Sequence, residues 1–183
     1  MLKKIRNFIK FLKNGKVIAY PTESVFSLGC DPDNIKAILS LITIKKRSMK
    51  KGFILISSRY EFLKPYIDEN KITEDQKKTI LFSAPYSITW VVPVKKGTTK
   101  LLTGKFKSIA IRITEFKVIK ELCELYKKPL ITTSANISGF PPCKTRIDLI
   151  NQFKNNIPIL DGTLGTNINP TKIIDISNGY IYR

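Results

Sequence analysis

Histidine is absent from all 183 residues of the sequence. This absence excludes Ser-His-Asp and Cys-His nucleophilic catalysis, HExxH zinc sites and histidine general bases. Any chemistry must therefore use lysine, arginine, hydroxyl groups, carboxylates, backbone groups or a metal ion. The phosphate-binding patterns GxxxxGK(S/T) and GxGxxG are absent too, so any bound nucleotide needs another kind of cradle.

Cysteine is scarce, and the three residues Cys30, Cys123 and Cys143 stand far apart without a CxxC pair. A secretory signal needs a continuous apolar stretch of about 7–15 residues, whereas lysines interrupt the N-terminal segment every few positions. Disulfide bonds and a zinc site are therefore not expected. We predict a cytoplasmic protein with free thiols.

Long hydrophobic runs are missing, since none reaches the roughly 18–20 residues of a membrane-spanning helix. No membrane partner is expected. The N-terminal apolar residues Leu2, Ile5, Ile9 and Leu12 recur at helical spacing, which predicts an amphipathic helix packed on the core. A basic amphipathic helix lying on a membrane surface is the alternative.

Acidic residues are few: 14 Asp and Glu face 32 Lys and Arg, for a formal net charge of +18. This balance favours polyanionic partners such as nucleic acid, nucleotide or pyrophosphate. The lysines are spread along a chain rich in Lys, Ile and Asn, so compositional drift explains the charge equally well.

Strand and helix patterns interleave along the chain without a strict βαβ repeat. Helices are predicted over 3–14, 34–46, 59–66, 73–82, 116–127 and 145–153. Strands are predicted over 17–20, 53–57, 88–94, 108–113 and 130–133, and near 157–160, 171–176 and 179–182. We predict one α/β domain over residues 1–183, with a twisted mixed β-sheet and flanking helices.

Three polar segments could carry chemistry. Thr22 and Ser24 follow the first strand, where their hydroxyls either cap a turn or meet a ligand; locally, capping is favoured. Lys45 and Arg47 belong to a basic run at a helix end, which suits either the helix dipole or a phosphate clamp. The third segment, 129–145, carries more consecutive small polar residues than a plain turn needs, so we favour a site there.

Together these segments resemble the YrdC-like threonylcarbamoyladenylate synthases, in particular their short bacterial single-domain form. The matching stretches are VIAYPTESVFSLGCDPD at 17–33, the Lys45-x-Arg47 pair, KPYID at 64–68, LTGKF at 102–106, KPLITTSAN at 128–136 with TSANISG at 133–139, and NPTKIIDI at 169–176. They occur in the expected order over essentially the whole chain. An ordered set of this length is far more specific than any one motif.

The resemblance implies a fold and an activity. Members have a twisted mixed sheet around a concave basic cavity. They join L-threonine, bicarbonate or CO2, and ATP into threonylcarbamoyl-AMP and pyrophosphate. A separate transferase complex uses the product to modify the adenosine next to the anticodon of tRNA. Mg²⁺ is expected with ATP, and no organic cofactor.

The resemblance also implies roles for individual residues. The catalytic set, expected to bind the ATP phosphates and the activated carbamate, is Lys45, Arg47, Ser134 and Asn136. The substrate-binding set is Thr22, Arg112, Thr132 and Thr171, with Arg112 expected to pair with the threonine carboxylate. The nucleotide-binding set is Lys45, Ser108, Ser134 and Arg183. No protein ligand to a metal is predicted.

The sequence departs from the family pattern at Ser27, where a glycine is usual, at Ser48, where a proline is usual, and around Tyr86. A glycine at position 27 would permit a positive φ or a close approach to ligand. A module that binds tRNA or double-stranded RNA without turnover remains the alternative function. A carbamoyl-transfer domain of the hydrogenase-maturation kind is a weaker one, because the cysteine-rich segments of those longer chains are absent.

Overall fold

A computed structural model describes residues 2–167 and 170–183. Its α-helices are α1 (Leu2–Lys13), α2 (Ile35–Lys45), α3 (Tyr60–Leu63), α4 (Glu74–Phe82), α5 (Lys100–Thr103), α6 (Lys117–Tyr126) and α7 (Arg146–Phe153). Asn169, which opens the predicted NPTKIIDI stretch, lies outside the described residues, as does the side chain of Leu2.

The strands form one mixed sheet, as predicted. They are β1 (Ile18–Pro21), β2 (Phe26–Gly29), β3 (Ile54–Ser57), β4 (Thr89–Pro93), β5 (Ser108–Ile113), β6 (Leu130–Ser134) and β7 (Ile173–Asp175). Their order is β1-β2-β6-β3-β5-β4-β7. The pairs β3–β5 and β4–β7 are parallel, and the other neighbours are antiparallel.

Local chemistry fixes both ends of α2, the helix that carries Lys45. The Asn34 side chain accepts a hydrogen bond from the Ala37 amide at 3.0 Å, so Asn34 is the N-cap. Lys46 adopts a left-handed φ of 48° and donates its amide to the Thr43 carbonyl at 3.0 Å. The chain therefore turns sharply between Lys45 and Arg47.

Two apolar cores lie on opposite faces of the sheet. Helices α2, α3, α4, α5 and α7 contribute to the larger core, together with inward residues such as Leu55 and Ile111. Helices α1 and α6 pack over Ile18, Ile56 and Leu130 on the other face. Ile5, Ile9 and Leu12 of α1 are buried in this second core, which confirms that α1 packs on the protein.

Several predicted elements are wrong. The sequence pattern does not predict β2, because its four positions hold only two large apolar residues, Phe26 and Leu28, which are too few for a clear alternation. No strand forms at 157–160 or 179–182. The chain makes only an isolated bridge at Ile159 and another at Ile181.

The helices are short relative to the thickness of a bilayer. Among residues 2–167 and 170–183, no helix has both the length and the hydropathy that a bilayer span demands.

Candidate active site

One face of the sheet is left open in its centre. Ile54 lies two residues before Ile56 on β3, so it is on the face on which α1 and α6 pack. Directly paired residues project from the same face, so Ala110 and Val91 are on that face too. These three side chains are only half-buried, whereas Leu55 and Ile111 on the opposite face are fully buried. Helices α1 and α6 therefore cover this face from β1 as far as Ile56 of β3, and leave the part around Ile54, Ala110 and Val91 less covered. We call this part of the sheet, with the residues that border it, the open face; it comprises the half-buried Ile54, Val91, Ser108, Ala110 and Ser134 and the buried Ser27, Thr89, Arg112 and Thr132.

Four predicted site residues lie together on the open face. Thr132 and Ser134 are two residues apart on β6, and Ser108 and Arg112 are four residues apart on β5, so each pair lies on one face of its strand. Ile54 of β3 pairs with Thr132 on one side and with Ala110 on the other, so it stands between the two groups. Residues far apart in sequence thus share one surface.

Lys45 is the last residue of α2 and is 2% exposed. Its ammonium donates to the Ser134 carbonyl at 2.5 Å, the Asn136 carbonyl at 2.7 Å and Asn136 Oδ1 at 3.4 Å. Burial, and then the Arg47 charge, lower the pKa of Lys45 to about 8. The three oxygens act in the opposite direction, because they accept all three N–H groups of the charged form. In this structure the Lys45 side chain links the C-terminal end of α2 to the loop after β6 by hydrogen bonds.

The loop after β6 is held by its own side chains as well. Ser134 Oγ donates to Asn136 Oδ1 at 2.6 Å, and Asn136 Nδ2 donates to the Phe140 carbonyl at 2.9 Å. The Ser138 amide donates to the Lys45 carbonyl at 2.8 Å. The structure therefore brings Lys45, Ser134 and Asn136 together, as the resemblance implies.

Arg47 is half-buried beside this loop. One terminal nitrogen donates to the Gly52 carbonyl at 2.6 Å, and the guanidinium lies 4.8 Å from the centre of the Phe53 ring. Burial lowers the pKa of Arg47, and its Nε is buried without a hydrogen-bond partner among the described residues. Phe53 holds the guanidinium plane, and the unpartnered Nε is a donor that a ligand could satisfy.

Thr22 closes the turn between β1 and β2. Its hydroxyl donates to the Val25 carbonyl at 2.7 Å, and its own carbonyl accepts from the Gly165 amide at 2.9 Å. This is the capping contact that the local sequence favours. The substrate role that the resemblance assigns to Thr22 stays a prediction.

Glu23 joins the site although it was not among the predicted residues. Its carboxylate accepts from a terminal nitrogen of Arg112 at 3.1 Å and from Thr114 Oγ1 at 2.6 Å. Arg112 is 7% exposed and Glu23 is 9% exposed. A sequence signal existed: residues 34–60, 76–114 and 125–147 contain no Asp or Glu, so a carboxylate within this basic site stands out.

Thr171 and Arg183 lie at the β4 end of the open face. Thr171 Oγ1 and Thr89 Oγ1 are 3.1 Å apart, and the Arg183 guanidinium donates to the Thr171 carbonyl at 3.2 Å. Arg183 is an exposed residue, but its guanidinium is partly buried. This burial, and then the positive charge of Arg112, lower the pKa of Arg183. Trp90 of β4 pairs with Ile111 of β5, and the same register places Thr89 opposite Arg112. Thr89, Arg112, Thr171 and Arg183 therefore lie close together.

A basic rim borders the open face where β3 and β5 begin. The loop before β3 pairs with the loop before β5 through a bridge between Lys51 and Gly104 and a hydrogen bond from the Lys105 amide to the Lys50 carbonyl. The rim consists of Lys46, Lys50, Lys51, Lys105 and Lys107. All five are exposed, and the ion pairs found in the described part of the chain involve none of them.

Comparison with known proteins gives this arrangement a family. The sequence model of the Sua5/YciO/YrdC family, described as telomere recombination, matches residues 10–183. The chain belongs to this family. The predicted resemblance is therefore confirmed.

Relatives of the family cover nearly the whole chain. A protein of Photorhabdus laumondii named threonylcarbamoyl-AMP synthase is 48% identical over 172 residues, which is 94% of this chain and 91% of that protein. One of the same name from Riesia pediculicola is 51% identical over 173 residues, covering 94% and 92%.

Solved structures of the family share the fold. The structure of P. abyssi Sua5 complexed with L-threonine superposes with a TM-score of 0.89 at 27% identity, over 97% of this chain and 52% of that one. The chain thus spans about half the length of that protein. E. coli YciO superposes with a TM-score of 0.81 at 20% identity, over 96% and 84%, which shows the fold alone.

Proposed function

We propose that this protein is a threonylcarbamoyl-AMP synthase that uses L-threonine, bicarbonate or CO2, and ATP, and releases pyrophosphate. The observation that carries the proposal is the grouping of Ser108, Arg112, Thr132 and Ser134 on the open face, with Lys45 at its edge. Relatives about half identical to the chain over more than nine-tenths of its length carry this enzyme name. The L-threonine bound to P. abyssi Sua5 supports the amino-acid substrate.

The chemistry suits a site without histidine. The neutral amine of threonine adds to CO2 and loses a proton to give a carbamate. A carbamate oxygen then attacks the α-phosphate of ATP, and the bond to pyrophosphate breaks. Because the substrates supply the nucleophile, the protein has only to align two anionic partners and stabilise charge on the phosphates.

Each predicted residue receives a role in this proposal. Arg112 pairs with the threonine carboxylate, while Thr22, Thr132 and Thr171 contact the rest of the amino acid. Lys45, Ser108, Ser134 and Arg183 serve the nucleotide, and Arg47 and Asn136 act with Lys45 and Ser134 on the phosphates and the carbamate. The hydrogen bonds of Lys45 refine its role, because its ammonium acts on the phosphates through the loop it holds.

Mg²⁺ is proposed to enter as part of the nucleotide substrate. The sequence has no histidine, and among residues 2–167 and 170–183 no three Cys, Asp or Glu side chains lie close enough to hold a metal ion. ATP phosphates and water supply the oxygen ligands that Mg²⁺ prefers.

The partners beyond ATP, threonine and bicarbonate follow from the product. We propose that it passes to a tRNA threonylcarbamoyl transferase complex in the cytoplasm, and that tRNA contacts the basic rim. An RNA-binding module without turnover is not favoured, because the relatives are named as enzymes.

Pyrophosphate release tests the proposed activity. Purified protein is incubated with MgATP, bicarbonate and L-threonine, and pyrophosphate is measured with a coupled assay. Release is expected to depend on threonine, because the amino acid supplies the nucleophile. The controls are omission of threonine and its replacement by N-acetyl-L-threonine, whose blocked amine cannot form the carbamate. Release that is the same with and without threonine contradicts the proposal.

A further inference from the structure

The Glu23 carboxylate is buried against the open face and paired with a cation. The side chains of Arg112 and Glu23 are 8% and 12% exposed, and one terminal nitrogen of Arg112 lies 3.1 Å from Glu23 Oε2. The contact joins β5 to the turn after β1, across 89 positions of the chain. Neither the resemblance nor the names of the relatives assigns a role to Glu23.

Arg112 keeps hydrogen-bonding capacity beyond this ion pair. Its Nε is buried and has no partner among the described residues. A guanidinium presents its donors in a planar fork that matches a carboxylate, and a buried donor of this kind is costly to leave unmade. The remaining donors of Arg112 are therefore suited to a bound anion.

Glu23 is itself tightly held. Thr114 Oγ1 donates to Glu23 Oε1 at 2.6 Å, and the same hydroxyl oxygen accepts from the Phe116 amide at 3.0 Å. The Asn167 amide donates to the Glu23 carbonyl at 3.0 Å. A side chain on Gly165 would come within 2.6 Å of that carbonyl, so the backbone of the turn is closely packed. The carboxylate consequently has little freedom to move.

The local charge leaves room for one more anion. Arg183 lies near enough to Arg112 for the Arg112 charge to contribute to the lowering of its pKa. This part of the site thus holds two guanidinium groups and one buried carboxylate. One additional carboxylate would balance the second cation.

We propose that Glu23 is a positioning residue, which fixes the Arg112 guanidinium so that its remaining donors take the carboxylate of the amino-acid substrate. The inference rests on the proposed function for the identity of that substrate. An arginine held in place by a buried partner loses less conformational freedom when its ligand binds. Glu23 acts through Arg112 and does not touch the substrate.

Binding of L-threonine and of L-threonine amide, which lacks the carboxylate, tests the proposal. Calorimetric titration of the wild type should show a clear preference for threonine over the amide. Glu23→Gln should weaken threonine binding at least about tenfold, since hydrogen bonds to charged groups are worth this much. Binding of the amide should change by less than about twofold, because the weakened interaction involves only the carboxylate.

Glu124→Gln is the matched control. Glu124 accepts from Arg59 at 2.5 Å and from Ser58 at 3.0 Å, in another Glu–Arg pair that joins α6 to the segment before α3. This variant should keep the wild-type preference for threonine. Thr114→Val, which removes a donor to Glu23 with little change in side-chain size, should weaken threonine binding in the same direction. If Glu23→Gln does not fold, threonine binding by Thr114→Val tests the positioning role instead.

Unchanged discrimination by the folded Glu23→Gln variant, or tighter threonine binding, would overturn the proposal. A wild type that binds threonine and its amide equally would overturn it too. Failure of the proposed function is separate: loss of discrimination in Glu23→Gln, in a wild type that releases no pyrophosphate, would leave the positioning role standing. Pyrophosphate release with unchanged discrimination would reject only the positioning role.

Discussion

At the scale of the residue, Lys45 is a buried cation whose role at the proposed phosphate site is indirect. Its three N–H groups are directed at the Ser134 and Asn136 carbonyls and at Asn136 Oδ1. Removal of the ammonium takes a donor from both carbonyls and leaves the Ser134 carbonyl, among the described residues, only the Asn136 amide at 3.0 Å, and a lost hydrogen bond is costly where the acceptor is buried. Lys45 therefore determines the shape of the loop that carries Ser134 and Asn136.

Alanine variants of Lys45 and Arg47 test their roles against the removal of another cation on α2. Lys45→Ala and Arg47→Ala should each lower the rate of pyrophosphate release at least about tenfold, or roughly 1.4 kcal/mol in the barrier. Lys45→Ala removes the hydrogen bonds that hold the loop after β6, whereas Arg47→Ala removes a hydrogen-bond donor beside that loop. Steady-state kinetics give both rates.

Lys36→Ala is the control for these variants, because Lys36 is an exposed residue of the same helix and is not part of the basic rim. It should stay near the wild-type rate. Wild-type rates for Lys45→Ala and Arg47→Ala would reject both roles.

The resemblance named most side chains of the candidate site, but it did not indicate their contacts. It named Arg112 without indicating that Glu23 is its partner, because that contact depends on how β5 lies against the turn after β1. It likewise assigned Lys45 to phosphates, which stays a prediction, and it did not indicate that the ammonium donates to two backbone carbonyls and to Asn136 Oδ1. Periodicity and motif order predict elements and residue types along the chain, whereas contacts between distant segments depend on how the elements pack.

At the scale of the element, β2 explains the departure at Ser27. Ser27 pairs with Tyr20 on one side and Ser134 on the other, and it is not among the residues with a positive φ. A glycine is therefore not needed there for backbone reasons. Gly29, two residues later, is different, because a Cβ would lie 2.3 Å from the Ile131 carbonyl oxygen.

Substitution of Ser27 or Gly29 should lower the stability of the protein, and substitution of Gly29 should lower it more. Ser27→Gly should lower the free energy of unfolding by about 0.5–1 kcal/mol, since glycine in a strand loses more backbone freedom on folding. Gly29→Ala should lower it further, because backbone must shift to admit the methyl group. Urea unfolding measures both, with Ser27→Ala as the control for removal of the hydroxyl. A Gly29→Ala variant as stable as the wild type would contradict the structure.

Most helices and central strands could be predicted because their apolar periodicity is strong. Predicted helix 73–82 matches α4 (Glu74–Phe82), and predicted strand 108–113 matches β5. Short elements failed: β2 has four residues, and α5 (Lys100–Thr103) is a single turn with little periodicity to detect. Such elements form because neighbouring strands and helices hold them.

At the scale of the whole molecule, the distribution of charge is more informative than its sum. All 14 Asp and Glu residues lie outside 34–60, 76–114 and 125–147, which supply most of the open face and all of the basic rim. Compositional drift alone would give lysines everywhere, but it would not clear carboxylates from the segments that meet at one surface. The separation favours a functional anion-binding surface over drift.

Removal of rim lysines should therefore weaken tRNA binding more than removal of lysines elsewhere. Lys50→Ala with Lys105→Ala takes two charges from the rim, and Lys10→Ala with Lys13→Ala takes two exposed charges from α1. Fluorescence titrations of tRNA over a range of salt concentrations give the slope of log affinity against log salt. Removal of one lysine–phosphate interaction should reduce this slope by about 0.9, a value taken from duplex DNA. The slope of the rim variant should fall by about one to two, on the order of one per lysine, and that of the α1 variant should stay at the wild-type value. Equal changes in the two variants would mean that tRNA responds to net charge alone and that the rim is not its contact surface.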